Sequence, residues 1–188
     1  MPDNALLPIA QAITGSTSSD AGIIMVDAAA RIKAAISSVS TAGLVSLIGG
    51  YKVPVISGSG ATVALTAAQS GSICLFDRAA GIVYTLPAPQ VGLCFPFITT
   101  VTRTTNSETI VTDAAGTKLV GNILNTIDTG VANISCFGNG TSHVTVAMNG
   151  TTTGGILGSY LLFTCVTTTL WHVTGIINGS GSIATPFA

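Results

Sequence analysis

From Tyr51 onward, short apolar runs alternate with polar positions, and Gly, Asn, Asp or Pro separates one run from the next. This texture predicts strands near Val53–Ile56, Thr62–Leu65, Ile73–Phe76, Ile82–Leu86, Cys94–Thr102 and Glu108–Thr112. It predicts further strands near Val131–Phe137, Val144–Met148, Ser159–Thr168 and Trp171–Ile177. Asn139-Gly140 and Asn149-Gly150 are predicted hairpin turns, because Asn-Gly accepts the positive φ of a tight turn with little strain. Ala79-Ala80-Gly81 is predicted to close another hairpin, with Gly at the left-handed position. Pro87 and Pro89 end the strand before them by removing backbone donors, and Pro96 points to an edge or a bulge. So many short strands in one stretch predict a mainly β fold, an antiparallel β-sandwich or jelly-roll-like domain.

The pattern changes near Gly49-Gly50, dividing the chain into an N-terminal segment, residues 1–50, and the β-domain, residues 51–188. Leu6-Leu7-Pro8-Ile9-Ala10 reads as an extended apolar arm, and Gly15–Asp20 as a loop. Asp27 to Ile36 is rich in good helix formers, with Asp27 as N-cap or first-turn acid and Ile32 and Ile36 on one stripe, so a short helix is predicted there. A second helical or irregular segment is expected over Thr41–Ile48. An arm and helix of this size hold no core alone and must pack on the β-domain or on a neighbouring chain. Ala34 to Tyr51 carries no charge, yet its serines and glycines dilute it too far for a membrane span.

Composition sharpens this picture. Charged residues make up 7% of the chain, against about 25% in an ordinary globular protein. The hydrophobic share is 47%, so Thr, Ser, Gly and Asn have taken the place of charge. Disordered chains combine low hydrophobicity with high net charge, and this chain has neither. A surface so poor in charge suits burial against copies of itself or a partner. The net charge is −1, and the basic residues are scattered, only Arg31 and Lys33 lying close together. Phosphate recognition needs a basic patch, so nucleic acid is not an expected partner. No basic stretch leads into an apolar run at Met1-Pro2-Asp3-Asn4, so no signal peptide is expected. Cys74, Cys94, Cys136 and Cys165 are far apart within β-prone runs and read as free, buried thiols.

Candidate chemistry is sparse. The acids Asp3, Asp20, Asp27, Asp77, Glu108, Asp113 and Asp128 form no evident carboxylate pair or calcium loop. Asp77 beside Arg78 reads as a solvated turn pair. His143 is expected as an exposed strand residue, and His172 as an interface or capped core histidine. No GxSxG elbow is present. Ser57-Gly58-Ser59-Gly60 leads into a strand, whereas a phosphate cradle needs a helix N-terminus. The expectation is a protein without catalytic residues, metal or cofactor.

The stretch LTAAQSGSICLFDRAAGIVYTLPAPQVG, Leu65 to Gly92, resembles a segment of small head-decoration (cement) and head-fibre proteins of tailed bacteriophages. There an LTxxxSG entry precedes a hairpin and an LPxPxxG exit. MNGTTTGG from Met148, LLFTCVTTTLWHVTG from Leu161 and GSGSIATPF from Gly179 extend the likeness over most of residues 60–188. The resemblance implies a structural virion protein, made in the bacterial host cytoplasm and displayed on the outer surface of the capsid. Such a protein is commonly a homotrimer that stabilises contacts between major capsid protein subunits. On this reading Leu6, Leu7, Ile9, Ile23, Ile24, Met25, Ile32, Ile36, Leu44 and Leu47 are the expected capsid-facing or intersubunit contacts. A trimeric tail-fibre or receptor-binding β-domain is the alternative. Fibre tips favour loops rich in aromatics, and Trp171, the lone Trp, lies in a predicted strand.

Overall fold

The computed structural model describes three N-terminal strands by their backbone pairing, and residues 52–58, 60–127 and 133–188 in full. The chain divides into two units, Met1–Lys52 and Val53–Ala188. In the first, β1 (Ile24–Val26), β2 (Ile32–Val39) and β3 (Val45–Ile48) form an antiparallel sheet with β2 at its centre. The helix expected over Asp27–Ile36 is therefore not formed across Ile32–Ile36, and Val45–Ile48 is a strand. Pairing on both sides of β2 satisfies backbone groups that a short lone helix leaves open at its ends. The expected arm at Leu6–Ala10 lies outside the described residues.

Among its described residues the second unit is all β apart from one turn of 3-10 helix at Ala67–Gln69, where the Gln69 side chain accepts the Thr66 N–H (2.8 Å). Its strands are β4 (Val55–Ile56), β5 (Thr62–Ala64), β6 (Ile73–Phe76), β7 (Val83–Thr85), β8 (Cys94–Thr99) and β9 (Glu108–Val111). They continue as β10 (Lys118–Ile127), β11 (Ile134–Asn139), β12 (Thr145–Met148), β13 (Tyr160–Cys165) and β14 (Leu170–Gly179). A seven-stranded sheet runs β11-β10-β14-β13-β8-β6-β4, and a four-stranded sheet runs β12-β9-β7-β5.

The mainly β, sandwich-like fold is as expected, but the sheets are mixed and not purely antiparallel. From β4 to β9 the chain steps from one sheet to the other at every connection. A strand that returns to a sheet after one strand in the other runs parallel to its predecessor, as β4/β6, β6/β8, β5/β7 and β7/β9 do. Ala79-Ala80-Gly81 is thus a sheet-to-sheet crossing and not a hairpin, although Gly81 has the expected positive φ of 80°. Asn139-Gly140 and Asn149-Gly150 also carry the chain between sheets. The Asn139 side-chain oxygen accepts the Thr141 and Ser142 N–H groups (2.9 Å each), so Asn works here as a turn cap. The tight hairpin of the domain joins β13 to β14 through Val166–Thr169, with no Gly or Asn, closed by the Val166 N–H on the Leu170 carbonyl (3.0 Å). Pro96 is not on an edge. β8 lies inside the sheet, and Pro96 sits one residue ahead of the first position paired with β6, Cys74↔Phe97.

Alternation places one set of side chains from both sheets in a shared core. β8 and β13 bury every second residue, Phe95, Phe97 and Thr99 on one and Leu161, Phe163 and Cys165 on the other. Tyr84 of the smaller sheet packs edge-on against Phe76 and Phe97 of the larger, both at 5.3 Å between ring centres. Its hydroxyl donates to the Leu75 carbonyl (2.7 Å), so the ring is buried without an orphaned polar tip. The longest pairing is parallel, β10 against β14 over ten residues. β10 has no counterpart among the strands predicted from sequence, because Gly121, Asn122 and Asn125 break its apolar pattern. Each break has a reason in three dimensions. A Cβ on Gly121 would stand 2.1 Å from the Val173 carbonyl oxygen of the adjoining strand, at φ +126°. The buried Asn125 amide donates to the Thr152 (3.0 Å) and Ala184 (3.1 Å) carbonyls, tying two loops to the sheet.

Candidate functional site: the outer face of the larger sheet

The residues left out of the core on the seven-stranded sheet form rows that the strand registers define. One row runs Ser135–Leu124–Ile176–Tyr160–Ile98–Leu75 across β11, β10, β14, β13, β8 and β6. The next runs Phe137–Asn122–Thr174–Leu162–Pro96. A third runs Asn139–Val120–His172–Thr164–Cys94. No Asp, Glu, Lys or Arg stands in any of the three. Ile176 is 51% exposed and Phe137 67% exposed, with Leu124, Tyr160 and Val55 also open to solvent. An ordinary antiparallel sheet turns a polar face to water; these three rows are apolar and Thr-rich, without carboxylate, ammonium or guanidinium groups.

The smaller sheet repeats the pattern with smaller residues. Its outer rows are Thr145–Val111–Thr85–Ala64 and Ala147–Thr109–Val83–Thr62. Charge in the described part of this unit lies outside these rows: Asp77, Arg78 and Asp113 between strands, Lys118 on the outward side of β10 at its first residue, and Arg103 and Glu108 buried. Asp77 is not simply a solvated partner of Arg78. Its carboxylate accepts the Ser57 hydroxyl and the Gly58 N–H (3.0 Å), pinning the connection from β4 to β5.

The buried acid is the arrangement most like a chemical site. Glu108 opens β9 facing inward, wholly shielded from solvent. Thr99 donates to its Oε2 (3.0 Å), while Oε1 has no partner. Burial pushes its carboxyl up to about 8, against smaller opposing effects of the Thr99 hydrogen bond and the Arg103 charge. Arg103 is itself held below its ordinary value by burial, and its guanidinium donates to the Thr105 carbonyl (3.1 Å). A raised carboxyl suits general acid chemistry only where substrate reaches it. Glu108 lines none of three surface recesses, which are walled by Thr126, Ile156 and Asn178, by Ile134, Phe137 and His143, and by Ala61, Gly81 and Asn106. Its neutral form instead completes the core.

The histidines lie far from this acid in the chain and take other roles. His143 is half-buried, stacked on Phe187 at 5.4 Å, with Nδ1 accepting the Asn139 N–H (3.3 Å); it is not an exposed strand residue. His172 is exposed on the outer face of β14. Among the described residues, no three His, Cys, Asp or Glu side chains gather into a group that could hold a metal. The cysteines are free, with Cys74, Cys136 and Cys165 buried and Cys94 half-buried. Among the described residues, no helix is long and apolar enough to cross a membrane.

Of the contact residues expected from sequence, Leu6, Leu7, Ile9, Ile23 and Leu44 lie outside the described residues. Ile24 and Met25 are on β1, Ile32 and Ile36 on β2, and Leu47 on β3, with Ile36 paired opposite Leu47 and Ile32 opposite Val26. The outer-face residues Leu124, Ile176, Tyr160 and Phe137 went unrecognised. A signal was present: Tyr160-Leu-Leu-Phe and Gly175-Ile-Ile carry apolar residues at both parities, as strands covered on both faces do. No protein-family model, curated protein or solved structure matches the chain.

Proposed function

We propose that this protein is a structural, contact-forming component of a tailed-phage virion, which decorates the assembled head by burying the outer rows of its larger sheet against major capsid protein. The carrying observation is the outer face of the seven-stranded sheet, three registered rows without an ionisable carboxylate, ammonium or guanidinium group. Rows of this kind lose no carboxylate, ammonium or guanidinium hydration when covered, so burial meets little opposing desolvation. Contiguous exposed apolar surface on a folded domain marks an interaction site. The likeness of Leu65–Gly92 to decoration and head-fibre proteins supplies the partner class. A protein that binds only the assembled shell stabilises the shell by mass action, with no bond-making step.

The test is co-sedimentation with heads that lack this protein. The double substitution Leu124→Lys and Ile176→Lys adds two charges at exposed positions of one row. It is expected to leave the domain folded and to weaken head binding by at least about tenfold, since the two buried, unpaired charges together cost more than about 1.4 kcal/mol. Undiminished binding refutes the proposal. Locating the chain on heads or on tails of fractionated virions separates it from the fibre-tip alternative.

A further inference from the structure

The sandwich has four sheet edges, and three of them are blunted. β4 is two residues long and follows Pro54. β5 has three residues. The edge beyond β12 is covered by residues 186–188: Val144 and Thr145 N–H groups donate to the Ala188 carbonyl (2.9 and 3.0 Å), Ala147 to Pro186 (2.8 Å), and Ala188 back to Thr145 (3.0 Å). β11 is the exception. It is six residues long, pairs with β10 in unbroken register, and carries no Pro and no charge. Among the described residues, no strand pairs with its other side. Folded proteins protect long edges with charge, Pro, bulges or a covering segment, because an open ladder invites another strand.

The phase of the ladder identifies the open groups. Gly140, just past β11, donates its N–H to the Leu119 carbonyl (2.9 Å), so Ile134, Cys136 and Gly138 exchange hydrogen bonds with β10. Ser135 and Phe137 therefore point N–H and C=O away from the sheet. The Asn139 N–H, next in phase, is already taken by His143 Nδ1 (3.3 Å). Beside this edge a shallow recess of about 310 Å³ is walled by Ile134, Cys136, Phe137, His143 and Thr185.

We propose that the β11 edge is a self-association surface, where β11 of one chain pairs antiparallel with β11 of a second copy about a two-fold axis. Ser135 lies opposite Phe137 of the partner chain, and the outward N–H and C=O groups of each satisfy those of the other. The register centres on Cys136, so both sandwiches keep their buried faces on the same side. The occupant is a second copy for two reasons. The edge is self-complementary in this register, as an isologous contact requires. The other large-sheet edge, β4, is too short and Pro-flanked for a head-to-tail ladder. With no charge on β11, two copies meet without repulsion, and the exposed Phe137 ring gains cross-strand cover. The inference holds whatever the surface partner is.

Ser135→Pro tests it, because proline removes only the outward donor and is tolerated on an edge. Phe137→Lys is the second variant, leaving the backbone intact. Light scattering on the purified full chain is expected to give twice the 18.7 kDa chain mass for wild type. Both variants are expected to give the single-chain mass at the same concentration, with the folded-state circular dichroism unchanged. Ser135 and Phe137 amides should exchange hydrogen slowly in concentrated wild type and quickly on dilution. A monomeric wild type at all concentrations, a trimer, or a dimer that survives both substitutions overturns the two-fold edge; should Ser135→Pro not fold, Phe137→Lys decides. No capsid enters the measurement, so its failure is distinct from failure of head binding.

Discussion

Replacing Glu108 by Gln separates the cost of burying an acid from the benefit of filling its place. The folded carboxyl stands at about 8 against an ordinary 4.5, with burial the largest cause. Between those values the folded chain holds a proton that the unfolded chain has released. Stability is therefore fully present below about pH 4.5 and falls as pH rises through 8, by up to 1.36 kcal/mol per unit. Integrated from pH 5 to pH 8, the loss is about 3.5 kcal/mol, an upper figure that corresponds to about 10 °C in melting temperature for a domain of this size. Gln keeps the shape and can still accept from Thr99, but it does not titrate. Denaturant titrations of wild type and Glu108→Gln at pH 5, 6, 7 and 8 should diverge steadily, wild type losing stability relative to the variant. Subtracting one curve from the other removes every contribution that the two proteins share. A pH-independent difference would refute the reasoning, meaning that the acid is ionised and compensated throughout.

Two further outcomes follow from packing. Gly121→Ala puts a Cβ into the Val173 carbonyl at φ +126°, so it should cost about 2–6 kcal/mol from strain and overlap together. Gly92→Ala, at φ +94° with nothing within 4 Å, should cost about 1–3 kcal/mol from backbone conformation alone. Equal melting temperatures for the two would remove close strand approach as the reason for Gly121. Thiol labelling of the native protein near pH 8 should modify Cys94 first, because Cys74 is pushed up to about 12 by burial and Cys136 and Cys165 are raised by the same cause. Simultaneous reaction of all four thiols without denaturant would show that the core is open.

Alternation along the chain was enough to place β4 to β9 and β11 to β14 within a few residues, because period two is a local property of side-chain direction. Low charge was equally legible. Strand partners were not. Asn139-Gly140 and Ala79-Ala80-Gly81 turn the chain as their chemistry demands, yet a turn does not say whether the next strand joins the same sheet or crosses to the other. That choice rests on which apolar faces bury each other, a contact between residues distant in sequence. β10 escaped notice for the same reason: Gly121 and Asn125 look like breakers until Val173, Thr152 and Ala184 surround them. The helix over Asp27–Ile36 followed local propensity, which strand pairing on either side of β2 overrides.

Composition, strand spacing and turn chemistry are thus properties the sequence carries by itself, since each depends on a residue and its near neighbours. The mixed sheet order, the burial of Glu108, the charge-free rows and the open side of β11 arise only when strands far apart in the chain come into register. Hydrogen-bond phase and burial are relations between segments, and folding alone brings those segments together.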